Sequence, residues 1–114
     1  ETVSTVMTRY FPGDVVVASM DMGGPGGRKT RPAVVIAESG KNRFLLCPVT
    51  SRRPEGSDFF SLCLDDFETG GLDLFEESYV LVSNAETIEG RYIHGKKGRL
   101  TSSGFIEISG RLRS

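Results

Sequence analysis

The feature that most constrains this chain is the alternation of short, β-branched apolar runs with glycine- and proline-rich breaks. Val15-Val16-Val17-Ala18-Ser19-Met20, Ala33-Val34-Val35-Ile36-Ala37 and Phe44-Leu45-Leu46-Cys47-Pro48-Val49 are each the length of a strand and too short for a stable helix. Pro12-Gly13-Asp14 turns the chain into the first run. Gly23, Gly24, Pro25, Gly26 and Gly27 separate it from the second, as a flexible loop with a basic end at Arg28 and Lys29. Pro32 heads the second run, where a missing donor is tolerated, and Ser39-Gly40-Lys41-Asn42 is a hairpin-type connection into the third. The second and third runs are therefore expected to pair antiparallel. Because they are continuously apolar, they predict burial on both faces of the sheet.

Downstream, Thr50 to Ser57 reads as a polar loop and Asp58 to Leu64 as a fourth strand. An acidic, turn-rich stretch follows as far as Gly71, and Glu77 to Ile88 reads as one long strand with polar breaks at Ser83-Asn84. Tyr92-Ile93 is a short extended piece or a turn before Gly95-Lys96-Lys97-Gly98. From Thr101 to Leu112 the spacing of Phe105, Ile108 and Leu112 fits a helical face behind a Thr or Ser cap, whereas Ile106-Glu107-Ile108 alternates. The cap favours a helix. The expected fold is mainly β with a C-terminal helix, a small, strongly bent antiparallel barrel or half-open sheet. At 114 residues such a domain buries roughly two-thirds of its unfolded surface. Residues 1–8 read as a tail, with Met7 a candidate start, and residues 9–114 as a single domain. No apolar run approaches the ~18 residues of a membrane span, so a cytoplasmic protein without membrane attachment is expected.

The net charge of −1 argues against a protein that coats duplex nucleic acid. That total hides blocks: residues 28–53 carry seven bases and one acid, residues 54–90 ten acids and no base, and residues 91–114 six bases and one acid. Composition alone favours a fold that intermixes these blocks into an ordinary solvated surface. In the other reading the basic block, once on a barrel, becomes a candidate groove for a single strand, and the acidic block the opposite face or a dimer flank. Cys47 and Cys63 both lie in apolar runs without a Cys-x-x-Cys pair, which predicts buried free thiols and no metal site. His94 is the lone histidine, expected in an exposed turn, so acid–base chemistry by paired histidines is excluded. Lys29-Thr30 matches two residues of a phosphate-binding loop, but Pro32 and a strand follow where a helix must start.

What remains is Arg31 before the second strand and Thr50 after the third. If those strands form a hairpin, a guanidinium and a hydroxyl meet at one end of the sheet, flanked by two basic loops. That pair suits a phosphodiester oxygen. The same residues also fit a plain surface arginine ahead of Pro32 and a threonine closing a strand.

These segments resemble the MazF/PemK family of mRNA-cleaving toxins. The resemblance rests on Pro12-Gly13-Asp14-Val15-Val16-Val17, on Arg31-Pro32-Ala33-Val34-Val35 after a glycine-containing loop, and on Cys47-Pro48-Val49-Thr50-Ser51. Ser78-Tyr79-Val80, Thr87-Ile88 and Lys97-Gly98 continue it over about residues 9 to 112. It implies an SH3-like barrel of the plasmid-maintenance-toxin type, a homodimer, and a cognate antitoxin with an acidic tail covering the RNA groove. The implied activity is metal-independent, sequence-selective cleavage of single-stranded RNA to 2′,3′-cyclic phosphate and 5′-hydroxyl ends, without a cofactor. Arg31 and Thr50 match the family's catalytic Arg and Thr. Arg28, Lys29, Ser51, Arg52, Arg53 and Ser78 are the candidate RNA-binding residues. The chain departs from the family at Asn84 and Glu86, where many members carry Gln and then a base. Two other readings belong to the same resemblance: a gyrase-poisoning relative, disfavoured because no C-terminal Trp-Gly-Ile is present, and a non-catalytic RNA- or antitoxin-binding module.

Overall fold

The computed structural model of the protein describes residues 10–21, 27–52, 54–56, 59–70 and 78–113. They contain strands β1 (Asp14–Asp21), β2 (Arg28–Glu38), β3 (Arg43–Thr50), β4 (Phe59–Leu62), β5 (Phe67–Gly70), β6 (Ser78–Leu81), β7 (Glu86–Glu89) and β8 (Ile93–Leu100), then helix α1 (Ser102–Arg113). The strands form one sheet in the order β4-β6-β3-β2-β1-β8-β5, and β7 also pairs with β3. Every pairing is antiparallel. The sheet curls into a half-barrel closed at one end by α1, the SH3-like architecture expected for mainly β sequence with a late helix. The expected tail, residues 1–8, and most of the glycine loop, residues 22–26, lie outside the described residues.

Alternation along the strands builds two cores. Val15, Val34, Cys47, Val49, Val80 and Leu100 face α1 and enclose its Ile108, which is fully buried. Val16, Ala18, Met20, Ala33, Val35, Phe44, Leu46, Ile88 and Ile93 fill the other face. Neighbours in sequence thus contribute to opposite cores, which is why β1, β2 and β3 are continuously apolar. Each fully buried Val, Leu or Ile contributes about 1.5–3 kcal/mol. At the helix start Gly104 N–H donates to Thr101 Oγ1 at 3.1 Å, a cap of the kind expected, while Ile106 faces solvent.

A buried carboxylate fixes the entry to β1. Asp14 is fully buried; it accepts the Phe11 N–H at 2.8 Å on Oδ2 and pairs with Arg99 at 2.8 Å and Lys96 at 3.2 Å. Gly13 adopts φ +97° in this turn, donating its N–H to Val35 and accepting from Leu100 N–H, each at 2.8 Å. One acid and one turn therefore tie the Pro12-Gly13-Asp14 motif to both neighbours of β1.

The structure corrects four local expectations. Residues 77–88 do not form one strand. β6 pairs with Val49 and Thr50, β7 pairs with Arg43 to Leu46 on the same edge of β3, and a 3-10 turn at Val82–Asn84 bulges between them. The acidic stretch contains β5, which pairs with β8; Gly70, at φ +66°, lies too close to the Lys97 carbonyl for any side chain. His94 belongs to β8 rather than a turn, because pairing with β1 carries the strand through Gly95 and Gly98 with two register shifts. Cys63 is exposed just past β4, whereas Cys47 is buried as expected, and burial pushes its thiol up to about 12.

Candidate functional site

The site begins where β2 and β3 part. Their ladder runs from Glu38↔Phe44 to Ala33↔Pro48 and stops there. Pro48 forms the last rung and Pro32 stands just beyond it, so two donors are missing at the point of separation. Past that point β2 stays with β1, as Ala18↔Arg31 and Ser19↔Thr30, while β3 turns to β6, as Val49↔Val80 and Thr50↔Tyr79. Arg31 and Thr50 stand two residues beyond the last shared rung, one on each lip of the opening. Strand alternation puts both on the face of Ala33, Val35 and Leu46.

The two side chains are prepared differently. Arg31 is half-buried, and its Nε is buried without a hydrogen-bond partner. A buried guanidinium N–H left unpaired costs about 1–3 kcal/mol, so the group is poised for an acceptor. Thr50, also half-buried, accepts the Arg52 N–H on its Oγ1 at 3.2 Å. That bond occupies one lone pair and leaves the hydroxyl proton free to donate.

Among the other expected residues, Lys29, Ser51 and Arg52 are exposed around the opening, and Arg53 lies outside the described residues. Ser78 is buried on β6 opposite Leu62. Arg28 is already engaged. Its Nη2 donates to the Ser19 carbonyl at 2.5 Å, its Nε to Ser19 Oγ at 3.4 Å, and the guanidinium lies 4.6 Å from the centre of the Tyr92 ring. Its Nη1 faces Glu86 at 3.9 Å. Arg28, Arg43, Glu86, Thr87, Ile88, Glu89 and Tyr92 line a groove of about 350 Å³. Two acids of the acidic block therefore lie among the bases rather than on an opposite face. Sequence spacing gave no signal for Arg43 or Tyr92 in this groove, because the turn at Val82–Asn84 and the Gly90–Tyr92 turn bring them there.

The profile of the PemK-like, MazF-like toxins of type II toxin–antitoxin systems matches residues 11–114. The chain belongs to this family. Solved structures similar to it include the Mycobacterium tuberculosis toxin MazF-mt6, with 17% identity, 87% of this chain and 91% of that chain covered, and a TM-score of 0.65. MazF in a MazE–MazF crystal form from Deinococcus radiodurans is 21% identical over 90% of each chain, with a TM-score of 0.64. An endoribonuclease in complex with its cognate antitoxin, from a mycobacterial species, is 15% identical over 91% of each chain, with a TM-score of 0.59. No curated protein matches the chain. Among the described residues of this MazF/PemK-family chain, no helix is long and apolar enough to cross a membrane.

Proposed function

We propose that this MazF/PemK-family toxin is an endoribonuclease that cuts single-stranded RNA at selected sequences. The observation that carries the reading is the opening between β2 and β3, with an unpartnered arginine N–H on one lip and an oriented hydroxyl on the other. RNA brings its own nucleophile. The 2′-hydroxyl oxygen attacks the adjacent phosphorus, the P–O5′ bond breaks, and the products are a 2′,3′-cyclic phosphate and a 5′-hydroxyl. The protein then needs to hold the phosphodiester in line and to neutralise the charge that builds on it.

In this reading Arg31 grips the non-bridging oxygens and stabilises that charge. A guanidinium carries donors and no acceptor, so Arg31 does not serve as the base. Thr50 donates its hydroxyl proton to a phosphate oxygen. Lys29, Ser51 and Arg52, together with Arg53, contact the flanking backbone; Ser78, being buried, supports the β6 side of the opening. DNA lacks the 2′-hydroxyl, so it binds without reacting. The reaction draws on no metal, the toxin acts as a homodimer, and a cognate antitoxin covers the basic lips. The toxin–antitoxin family and the solved toxin–antitoxin complexes of the same fold support that partner class.

The test is cleavage of a long mixed-sequence RNA in EDTA with mapping of the new 5′ ends. The purified protein is expected to cut, Arg31→Ala to abolish cutting and Thr50→Ala to slow it at least tenfold, each variant still unfolding cooperatively within a few degrees of the parent. Persistent cleavage in both variants overturns the site assignment.

A further inference from the structure

The groove beside the opening holds an acceptor that the fold leaves largely unused. The Glu86 carboxylate is about one-third exposed, and its partner is Arg28 Nη1 at 3.9 Å, an ion-pair distance too long for a hydrogen bond. Arg28 cannot close that gap by swinging freely, since Ser19 and the Tyr92 ring hold its guanidinium. Glu89, the neighbouring acid, is taken by Arg91 at 2.8 Å, and Arg91 also lies 4.9 Å from the Tyr92 ring centre. The groove therefore presents one carboxylate held only by a long ion pair, a fixed guanidinium beside it, and the Arg43 guanidinium, which has no ion-pair partner among the described residues.

Its volume of about 350 Å³ is at the small-ligand end of pocket sizes. Glu86 pairs with Leu46, four residues from Thr50 on the same face of β3, so the groove lies roughly 13 Å along the strand from the proposed reaction site. A single strand lying on the opening reaches it within a short stretch.

We propose that this groove reads one nucleobase of the RNA near the cut, and that the base is guanine. The inference rests on the endoribonuclease reading above and assigns it a specificity determinant. An unpaired base exposes its Watson–Crick edge. Guanine puts two adjacent donors there, N1–H and the 2-amino group, which match the two oxygens of Glu86. Its O6 and N7 accept from an arginine fork beside that carboxylate. Cytosine and adenine each place a ring-nitrogen acceptor next to their amino group, facing the carboxylate with a lone pair. Uracil flanks its one donor with two carbonyl oxygens. A carboxylate next to a guanidinium thus selects guanine by attraction and rejects the others by repulsion.

The test uses the full chain and synthetic oligoribonucleotides carrying one mapped cut site. Wild-type cleavage sites are expected to share a guanine at one fixed offset, with at least tenfold faster cutting than for adenine, cytosine or uracil there. Inosine, which lacks the 2-amino group, is expected to lose most of that advantage. Glu86→Gln is expected to bring the preference for guanine over inosine below threefold, and Glu86→Lys to remove it, with both variants melting as the parent does. Binding of the same oligonucleotides with a 2′-deoxy sugar at the cut is followed by fluorescence anisotropy and is expected to follow the same order. Cleavage without a shared guanine overturns this inference and leaves the endoribonuclease reading standing. Uniformly tighter binding by Glu86→Gln to every base also overturns it, making Glu86 a charge that tempers phosphate affinity. Absence of both cleavage and base-dependent binding overturns both readings.

Discussion

Replacing Thr50 by Val keeps the branched shape at the half-buried end of β3 and removes one hydroxyl. In the folded protein that oxygen accepts the Arg52 N–H at 3.2 Å in an exposed segment, where water takes over the donor when the acceptor is lost. The stability cost is then about 0.5–1 kcal/mol, a drop of about 2–6 °C in Tm. In the proposed reaction the same hydroxyl, oriented by Arg52, donates to a phosphate oxygen carrying charge. Such a bond contributes about 1.5–3 kcal/mol, so kcat is expected to fall by about 10- to 150-fold. Single-turnover cleavage of a fluorescent oligoribonucleotide at saturating protein isolates this step, and a thermal melt of the same sample checks the fold. Thr50→Ser, which retains the hydroxyl, is expected to stay within about fivefold of wild type on the same grounds. A Thr50→Val protein that cuts within threefold of wild type refutes the argument. So does a Ser variant as slow as the Val one, because the methyl group would then be the part that matters.

Two further expectations concern the scaffold. Asp14→Asn keeps the shape of a fully buried side chain but removes the charge that faces Arg99 and Lys96. Because both bases are more than 40% exposed and can be rehydrated, the expected loss is about 2–3 kcal/mol, below that of a fully enclosed pair. Urea unfolding measures it, and a change under 0.5 kcal/mol contradicts a tying role for Asp14. For the thiols, Cys63 is expected to react at once with a disulfide reagent and Cys47 only on unfolding; simultaneous reaction of both in the native protein contradicts the burial of Cys47. The raised Cys47 thiol carries a sign as well. Above pH 9 the unfolded chain loses this proton while the folded one keeps it up to about 12, so stability is full below pH 9 and falls as pH rises through that window. Cys47→Ala is expected to flatten that part of the profile, and an unchanged slope counts against the assignment.

Much of the barrel was legible in the chain because local signals agreed with one another. The runs in β1, β2 and β3, the Ser39–Asn42 connection and the Thr101 cap each state a local preference that the tertiary fold adopts. The failures lie where pairing partners override local signals. Gly95 and Gly98 break a strand pattern, yet β1 holds them in β8 through two register shifts. The acidic stretch favours turns, yet β8 recruits β5 from it. Ser83-Asn84 looks like a polar interruption in one strand, yet the three-residue turn there divides β6 from β7 along the edge of β3. The candidate site divides in the same way. Arg31 and Thr50 could be placed from a hairpin and a resemblance, whereas the groove of Arg28, Glu86 and Tyr92 joins three segments with no common pattern.

The sequence by itself determined a small, doubly buried β-barrel with a closing helix, the family resemblance, and the two residues proposed for the reaction. Those follow from periodicity, turn chemistry and short motifs, which act over a few residues. The tertiary structure decided what each charge faces. Arg31, just past the end of the β2–β3 ladder, keeps an unsatisfied Nε, while Arg28, three residues earlier, is held by Ser19 and Tyr92 and faces Glu86. Charge acts through space and at short range, so a net charge of −1 and even the block pattern left open which bases meet an acid.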